Sequence, residues 1–526
     1  MKRIIKTSII LSIFLSGLFT GCTEDFLKIS NENQLDADIY FTKIENLDLA
    51  LNAVYASLKA NELFGGVYPA KITGMLPHTH DQDWLGHTVW NQMGTNEVTS
   101  DNSLVAENWR AWYRVVGRAN DFITNANIYK ESDFMAPSEA SKVDQMLGQA
   151  YFIRGFAYFV IVRLHGEGRA TEPSALAAPL ILKVASSRDE MEVGRATVGE
   201  IYTQVISDFK VAEQLLPDGW DDANAARVDK YAAKGFLGKV YLYQEDWPNA
   251  KTYLGQVVNG PFQLVPSAEY EGLFHGETEF SSESVWEINF GDDGTDRPHQ
   301  GGIGSRLALM IAPKGTGWSN VWPHDENIKR FGNDPRLRVC ALEPGVDQVT
   351  YGNGNTVVLE KFATEAGGLG WSHKKYVPLD YSVYSTNTGY HANYHMMRLA
   401  DVYLMYAEVL NALSEDGDAL EYVNKVRRRA YGKDFNVPDA TVDFSGLAGT
   451  QLRDSIREER FRELFNEGQR WYDIVRWGIA KEECDKYPRV RSGVIKFDDP
   501  KDTYLPIPRD ELQKNPAMTP STGYSM

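Results

Sequence analysis

Apolar residues recur along this chain at intervals of three and four, in blocks. Leu399, Val402, Tyr403, Tyr406 and Leu410 fall at i, i+3, i+4, i+7 and i+11, one face of a helix. Phe461, Leu464, Phe465, Gly468, Tyr472 and Val475 follow the same rule and predict a second continuous face. Its far side is charged, with Glu458 four residues before Arg462 and Glu467 three before Arg470. The pattern predicts further helices over 46–60, 104–128, 138–165, 197–216, 229–244, 247–258 and 419–430.

Some blocks pair. Leu237-Gly238-x2-Tyr241, followed by Ala250 and Leu254, matches the tetratricopeptide pattern of two packed helices, with Asp246-Trp247-Pro248 as the turn. Ala407, Leu410, Ala419 and Val423 repeat these offsets, and Phe209, Ala212 and Pro217 read as the end of another unit, with 166–196 inserted between its helices. Degenerate repeats and ordinary antiparallel helix pairs share such offsets, so both readings stand. Over 62–103 and 260–397 the periodicity fails, leaving short strand-like pieces at Val285–Phe290 and Thr356–Leu359 among Gly, Asn, Asp, Ser and aromatic residues. The tail from 486 is irregular too. The expected fold is mainly α: a tetratricopeptide-like helical-pair scaffold with long irregular, loop-rich insertions carrying a few short β-strands.

Composition narrows the function. At 526 residues and 43% hydrophobic, the chain can bury a large core. Its net charge of −18 argues against a grip on nucleic acid, which needs a basic face. Three cysteines cannot staple a disulfide scaffold. Cys340 and Cys484 either pair in an oxidising compartment or remain two buried free thiols.

The first residues are expected to be a targeting signal. Lys2, Arg3 and Lys6 precede an apolar run from Ile9 to Phe19, too short to span a bilayer. Phe19-Thr20-Gly21-Cys22 resembles a bacterial lipoprotein cleavage box, which makes residues 1–21 the signal peptide and Cys22 the lipidation site. Removing three positive charges takes the net charge from −18 to −21. Glu24 and Asp25 look like the acidic tag that sends some lipoproteins to the outer face of the outer membrane.

The run Ile456–Gly478, IREERFRELFNEGQRWYDIVRWG, is the longest of several segments that together resemble the SusD/RagB family of surface glycan-binding lipoproteins; it is similar to the family's "ER…EL…EG.R..D..RW" helix and turn. Arg398–Glu408 is similar to its "R.aE.yLmyAE" helix, with Asp401 where Glu is usual. Asn424–Ala430, Asp334-Pro-Arg336, and Leu505-Pro-Ile-Pro508 with Asn515-Pro516 also fit. So, in the first half, do Trp109-x2-Trp-Tyr113 with Asn120, Ala150-x3-Arg-Gly-Phe-Ala157, and Trp247-x2-Ala250. On this reading residues 22–260 form an N-terminal SusD-like region, 261–397 an aromatic-rich insertion, and 398–526 the C-terminal helical region and closing tail. The resemblance implies an outer-membrane, outward-facing lipoprotein that captures oligosaccharide and delivers it to a SusC-like TonB-dependent transporter. It also implies ligand contact from the two general regions of irregular loops.

Which residues serve is a matter of side-chain type. Trp and Tyr offer flat faces to sugar rings, and Asp, Asn, Gln and Arg offer planar donors and acceptors to hydroxyls. Asp81, Asp83, Trp84, Trp90 and Asn91 lie within one short segment, and Trp318 and Trp322 within another. Each loop Trp is either a ligand platform or a plug over the core. Trp371, Tyr376, Tyr381, Tyr384 and Tyr390 form a third aromatic stretch. No catalytic residue and no metal ligand is expected. His78-Thr-His80-Asp81 and His391 with His395 lack a spaced third ligand. The acidic loop Gly291–Asp296 could hold Ca²⁺, but its spacing matches no EF-hand, so no cofactor is assigned. Arg460, Glu463, Glu467, Arg470, Asp473 and Arg476 read as an ion network that bridges segments, not as acid–base machinery. The rival functions are a glycoside hydrolase and a peptide- or protein-binding adaptor.

Overall fold

The computed structural model describes residues 40–82, 87–187, 189–291, 304–361, 368–382, 390–487, 490 and 493–525. Ten helices make the scaffold: α1 (Ile44–Leu58), α2 (Ser103–Glu131), α3 (Ala140–His165), α4 (Val198–Leu215) and α5 (Lys230–Tyr243), then α6 (Trp247–Val258), α7 (Leu399–Ala412), α8 (Asp416–Ala430), α9 (Gly449–Glu463) and α10 (Arg470–Arg476). Cys22 and the leader lie outside the described residues. Among the described residues, no helix is long and apolar enough to cross a membrane.

Local chemistry sets the helix starts. The Asn102 side chain accepts from the backbone N–H groups of Leu104 and Val105, capping α2. Thr197 and Glu200 form a reciprocal capping box at α4, and Asp229 and Asp246 cap α5 and α6. Pro248 sits in the first turn of α6, where its missing N–H costs nothing.

The pairing expected from the repeat offsets is present. α5 packs on α6 and α7 on α8, while α3 packs on α4 across the 166–196 insertion. Gly238 lets α5 approach closely, because a Cβ there would lie 2.7 Å from Leu254 Cγ of α6. α3 is buried on nearly every side, from Val143 to His165, as a helix at the centre of a large core must be. That core is continuous from Ile44 to Met518 and takes residues from each stretch of the chain, Phe236, Trp286 and Met397 among them.

The strands are short and occur in antiparallel pairs among the described residues. β1 (His80–Gln82) pairs with β5 (Val321–Pro323), β2 (Leu176–Pro179) with β3 (Arg195–Thr197), and β4 (Ser284–Ile288) with β10 (Tyr394–Arg398). β6 (Ala341–Leu342) pairs with β9 (Ser372–His373), and β7 (Gln348–Thr350) with β8 (Thr356–Val358). The strand-like pieces at 285–290 and 356–359 correspond to β4 and β8.

Two predicted elements differ. The continuous helical face from Phe461 to Val475 is broken: α9 ends at Glu463, and Asn466 (φ 64°) and Gly468 (φ 70°) turn the chain before α10. Gly468 is needed twice over, since a Cβ would sit 2.9 Å from the Tyr394 hydroxyl and 3.1 Å from Thr73 Oγ1. The stretch 62–103, read as irregular, contains the helical turns Tyr68–Met75 and a helix over Thr88–Thr95.

The broken helix gathers a buried ionic lattice. Arg398 donates to Glu467 (2.9 Å), Glu283 (2.5 Å) and Glu463 (3.1 Å). Arg429 bridges Glu283 (3.0 Å) and Glu463 (2.6 Å), and Lys375 reaches Glu467 (2.7 Å). Arg336 contacts Asp334 (2.7 Å), Glu459 (2.8 Å) and Glu463 (3.3 Å). Beside it, Arg460 joins Asp401 (2.8 Å) to Asp473 (2.9 Å), and Lys239 lies 3.1 Å from Asp401. Burial alone would push the Glu463 carboxyl up, but Arg429, Arg398 and Arg336 hold it well below the usual range. Burial likewise opposes ionisation of Asp401, and Lys239 and Arg460 bring its pKa down to about 2.

Candidate functional site

β1 and β5 bring together two segments far apart in sequence. Their register sets Asp81 opposite Trp322, with His80 opposite Pro323 and Gln82 opposite Val321. The loop ahead of β5 is pinned to the short helix Leu307–Ile311. Trp318 N–H donates to Leu309 O (2.6 Å) and Asn320 N–H to Met310 O (2.7 Å), with Ser319 left-handed at φ 51° between them. Gly317 is forced, because a Cβ would lie 2.6 Å from Ala312 Cβ and 2.7 Å from Leu309 O. The result is a rigid projection of one indole.

Trp318 is 38% exposed, and the Arg306 guanidinium lies 4.9 Å from its ring centroid. Arg306 itself is held by its N–H donating to Gly65 O (2.7 Å). Its Nε is buried and has no hydrogen-bond partner among the described residues. Burial lowers its pKa, and Glu62 nearby partly offsets that. A guanidinium over the indole sets planar donors beside a flat apolar ring, which together can serve as a platform.

The other predicted tryptophans face differently. Trp90 lies on the helix Thr88–Thr95, not in a loop, and is 9% exposed. Its ring covers the Lys71 ammonium at 3.3 Å. That ammonium is buried without a hydrogen-bond acceptor among the described residues, and burial holds its pKa well below the ordinary lysine value. Trp322 is on β5 and 4% exposed. For these two the plug alternative describes the geometry. Asp81, on β1, and Asn91, on the helix Thr88–Thr95, are both half-buried. Asp83 and Trp84 lie outside the described residues.

In the third aromatic stretch, Tyr376, Tyr381 and Tyr390 are buried, and Tyr376 stacks on Tyr394 with centroids 5.0 Å apart. Trp371 is half-buried, 5.7 Å from the Arg338 guanidinium, and Tyr384 lies outside the described residues. The premise of two histidines alternating on a strand fails, because His78 has φ 54° and only His80 is on β1. Both nitrogens of His80 are engaged, one with Ala70 O (2.9 Å) and one with Asn466 Oδ1 (2.7 Å). His395 sits on β10, so its spacing from His391 is not helical. Residues 292–296 of the acidic loop lie outside the described residues. Cys340 and Cys484 are both buried free thiols, and burial raises the Cys340 pKa to about 11. Arg306 and Lys71 escaped the sequence reading, since nothing in their neighbours' identity signals an unpaired cation beside an indole.

Comparison with known proteins now places the chain. A family model described as "SusD family" matches residues 282–524, and one described as "Starch-binding associating with outer membrane" matches residues 25–242. The chain belongs to the SusD family. SusD-like protein P2 from Formosa agariphila is 27% identical over 543 residues, covering 100% of both chains. A SusD-like protein from Bacteroides ovatus is 25% identical, covering 91% of this chain and 83% of its own. Among solved structures, a laminarin-binding SusD-like protein superposes with TM-score 0.72 at 23% identity, over 92% of this chain and 99% of that one. A SusD homolog from Bacteroides thetaiotaomicron gives 0.76 at 21%, over 94% and 100%. The SusD fold is therefore that of the whole described body, helix pairs and insertions together.

Proposed function

We propose that this SusD-family protein is a non-enzymatic glycan-binding lipoprotein, anchored through Cys22 at the outer surface of the outer membrane. It captures oligosaccharide and passes it to a SusC-like TonB-dependent transporter. The observation that carries the reading is the exposed Trp318 held rigidly beside Arg306 at the β1–β5 junction. Trp84, Asp83, Asp81 and Asn91 complete the ligand surface, and Trp90 and Trp322 form its floor. A laminarin-binding relative with the same fold supports carbohydrate as the ligand. The non-enzymatic part is supported by the chemistry of the acids: the carboxylates of Glu283, Glu463 and Glu467 are bonded to arginines and sealed from solvent.

Affinity electrophoresis through glycan-containing gels tests the site. A panel including laminarin and starch should reveal a glycan that retards the wild-type chain. Trp318→Ala should lose most of that retardation, and Trp84→Ala with Trp318→Ala all of it. Unchanged retardation in the double variant on the retaining glycan would refute the assignment. Release of new reducing ends during incubation would refute the non-enzymatic reading.

A further inference from the structure

A cavity of about 280 Å³ opens where the carboxyl end of α3, the faces of α4 and α5, and α10 converge. It shares no lining residue with the β1–β5 platform. Its size is near the lower end of small-ligand pockets, roughly 300–1,000 Å³, and suits a single ring.

Arg163 forms its floor. The guanidinium is clamped between two aromatic faces, 3.8 Å from the Phe159 ring and 3.9 Å from the Tyr472 ring. Nε donates to Phe159 O (2.8 Å), and Nη1 lies 3.5 Å from the Tyr243 hydroxyl, at the limit of a hydrogen bond. No carboxylate pairs with it among the described residues. The contrast with its neighbours is sharp. Arg476, in the same wall, is bound by Glu408 (2.7 Å) and Asp473 (2.9 Å), and Arg169 at the mouth lies 3.5 Å from Glu172. Glu167 is taken by Arg195 at 2.5 Å. Tyr202 adds a further hydroxyl-bearing side chain to the lining. The half-buried Arg163 guanidinium thus has part of its fork open to the cavity, where an anion can meet it.

The acids at the rim limit what that anion is. Of the acids in the lining, Glu167 and Glu172 are paired with Arg195 and Arg169, which leaves Asp499 as the like charge that a dianionic phosphate would meet. A monoanion with a planar carboxylate matches the fork, and its ring would rest against tyrosine while its hydroxyls met Tyr202 and Tyr243. We infer that the Arg163 cavity is a second binding site, for a single-ring sugar carboxylate such as a uronate. It stands apart from the glycan platform, and either site works without the other.

Isothermal titration of the full chain with glucuronate, glucose and inorganic phosphate decides it. Glucuronate should bind saturably, with glucose and phosphate at least about tenfold weaker. Arg163→Met keeps the stem between its rings but removes the charge, and should abolish binding. Ala170→Phe fills the cavity from its half-buried wall while keeping the arginine, and should do the same if Arg163→Met fails to fold. Trp318→Ala should leave glucuronate binding unchanged. The inference falls if glucuronate binds no tighter than glucose or phosphate, if Ala170→Phe still binds it, or if Trp318→Ala loses it.

Discussion

Arg398 and Trp318 sit in the same half of the chain and show two opposite uses of large polar-edged side chains. Arg398 is sealed in the core, with Glu283, Glu463 and Glu467 around its guanidinium. Trp318 stands out on a loop, with its indole against Arg306 and solvent. Around Arg398 every charge holds another segment: β10, α8, α9 and the α9–α10 turn meet there. Around Trp318 the backbone does the holding, through two hydrogen bonds to the Leu307–Ile311 helix. One region is fixed by its side chains and presents nothing; the other is fixed beneath them and presents a surface. A family that changes ligands while keeping its fold would divide its residues in this way.

The contrast breaks most decisively at Arg398. Arg398→Met should destabilise the protein by about 3–5 kcal/mol, because Glu467 and Glu283 would lose a fully buried partner. Urea unfolding followed by tryptophan fluorescence measures it. A loss under about 1 kcal/mol would mean that solvent enters the lattice, and the contrast with the platform would vanish.

A smaller effect comes from pH. The folded-state pKa of Asp401, about 2, lies below its ordinary 3.8, so its stabilisation is present above pH 4 and lost as pH falls through 2. That difference is worth about 2 kcal/mol. Wild type and Asp401→Asn should therefore differ in urea midpoint at pH 6 and converge toward pH 2–3. A gap that stays constant across that range would show that the carboxyl's charge is not what Lys239 and Arg460 hold.

How much of this was legible depended on whether the signal was local. Gly238 opposite Leu254 and the cap at Asp246 could be read directly, because a repeat offset and a turn are written in neighbouring residues. The break between α9 and α10 could not. Phe461 and Tyr472 keep helical spacing across it, while the positive φ of Asn466 and Gly468 answers to His80, Tyr394 and Thr73, distant in sequence. Trp90 and Trp318 both lie among polar residues, yet one turns onto Lys71 and the other outward. Neighbour identity carries no information about that choice. The pairing of β1 with β5, which joined the two candidate segments, is likewise a tertiary fact.

The smallest stability effect, and the one that sharpens the contrast, belongs to Trp318. Its ring is partly exposed and its loop is held by backbone hydrogen bonds that a side-chain truncation leaves in place. More than half of the indole surface is nonetheless covered, so Trp318→Ala should lower unfolding free energy by about 1–2 kcal/mol, well short of a core truncation. Some loss of the stacking with Arg306 is included, since an exposed cation–π contact contributes about 0.5–1 kcal/mol and the guanidinium regains water when the ring is gone. Glycan retardation should meanwhile collapse. The pair of measurements matters more than either alone, because Trp322→Ala removes an indole of the same size from β5. There the cavity left behind should cost about 3–5 kcal/mol. Equal stability losses for the two substitutions would mean that Trp318 is also a plug, and that the platform lies elsewhere on the protein.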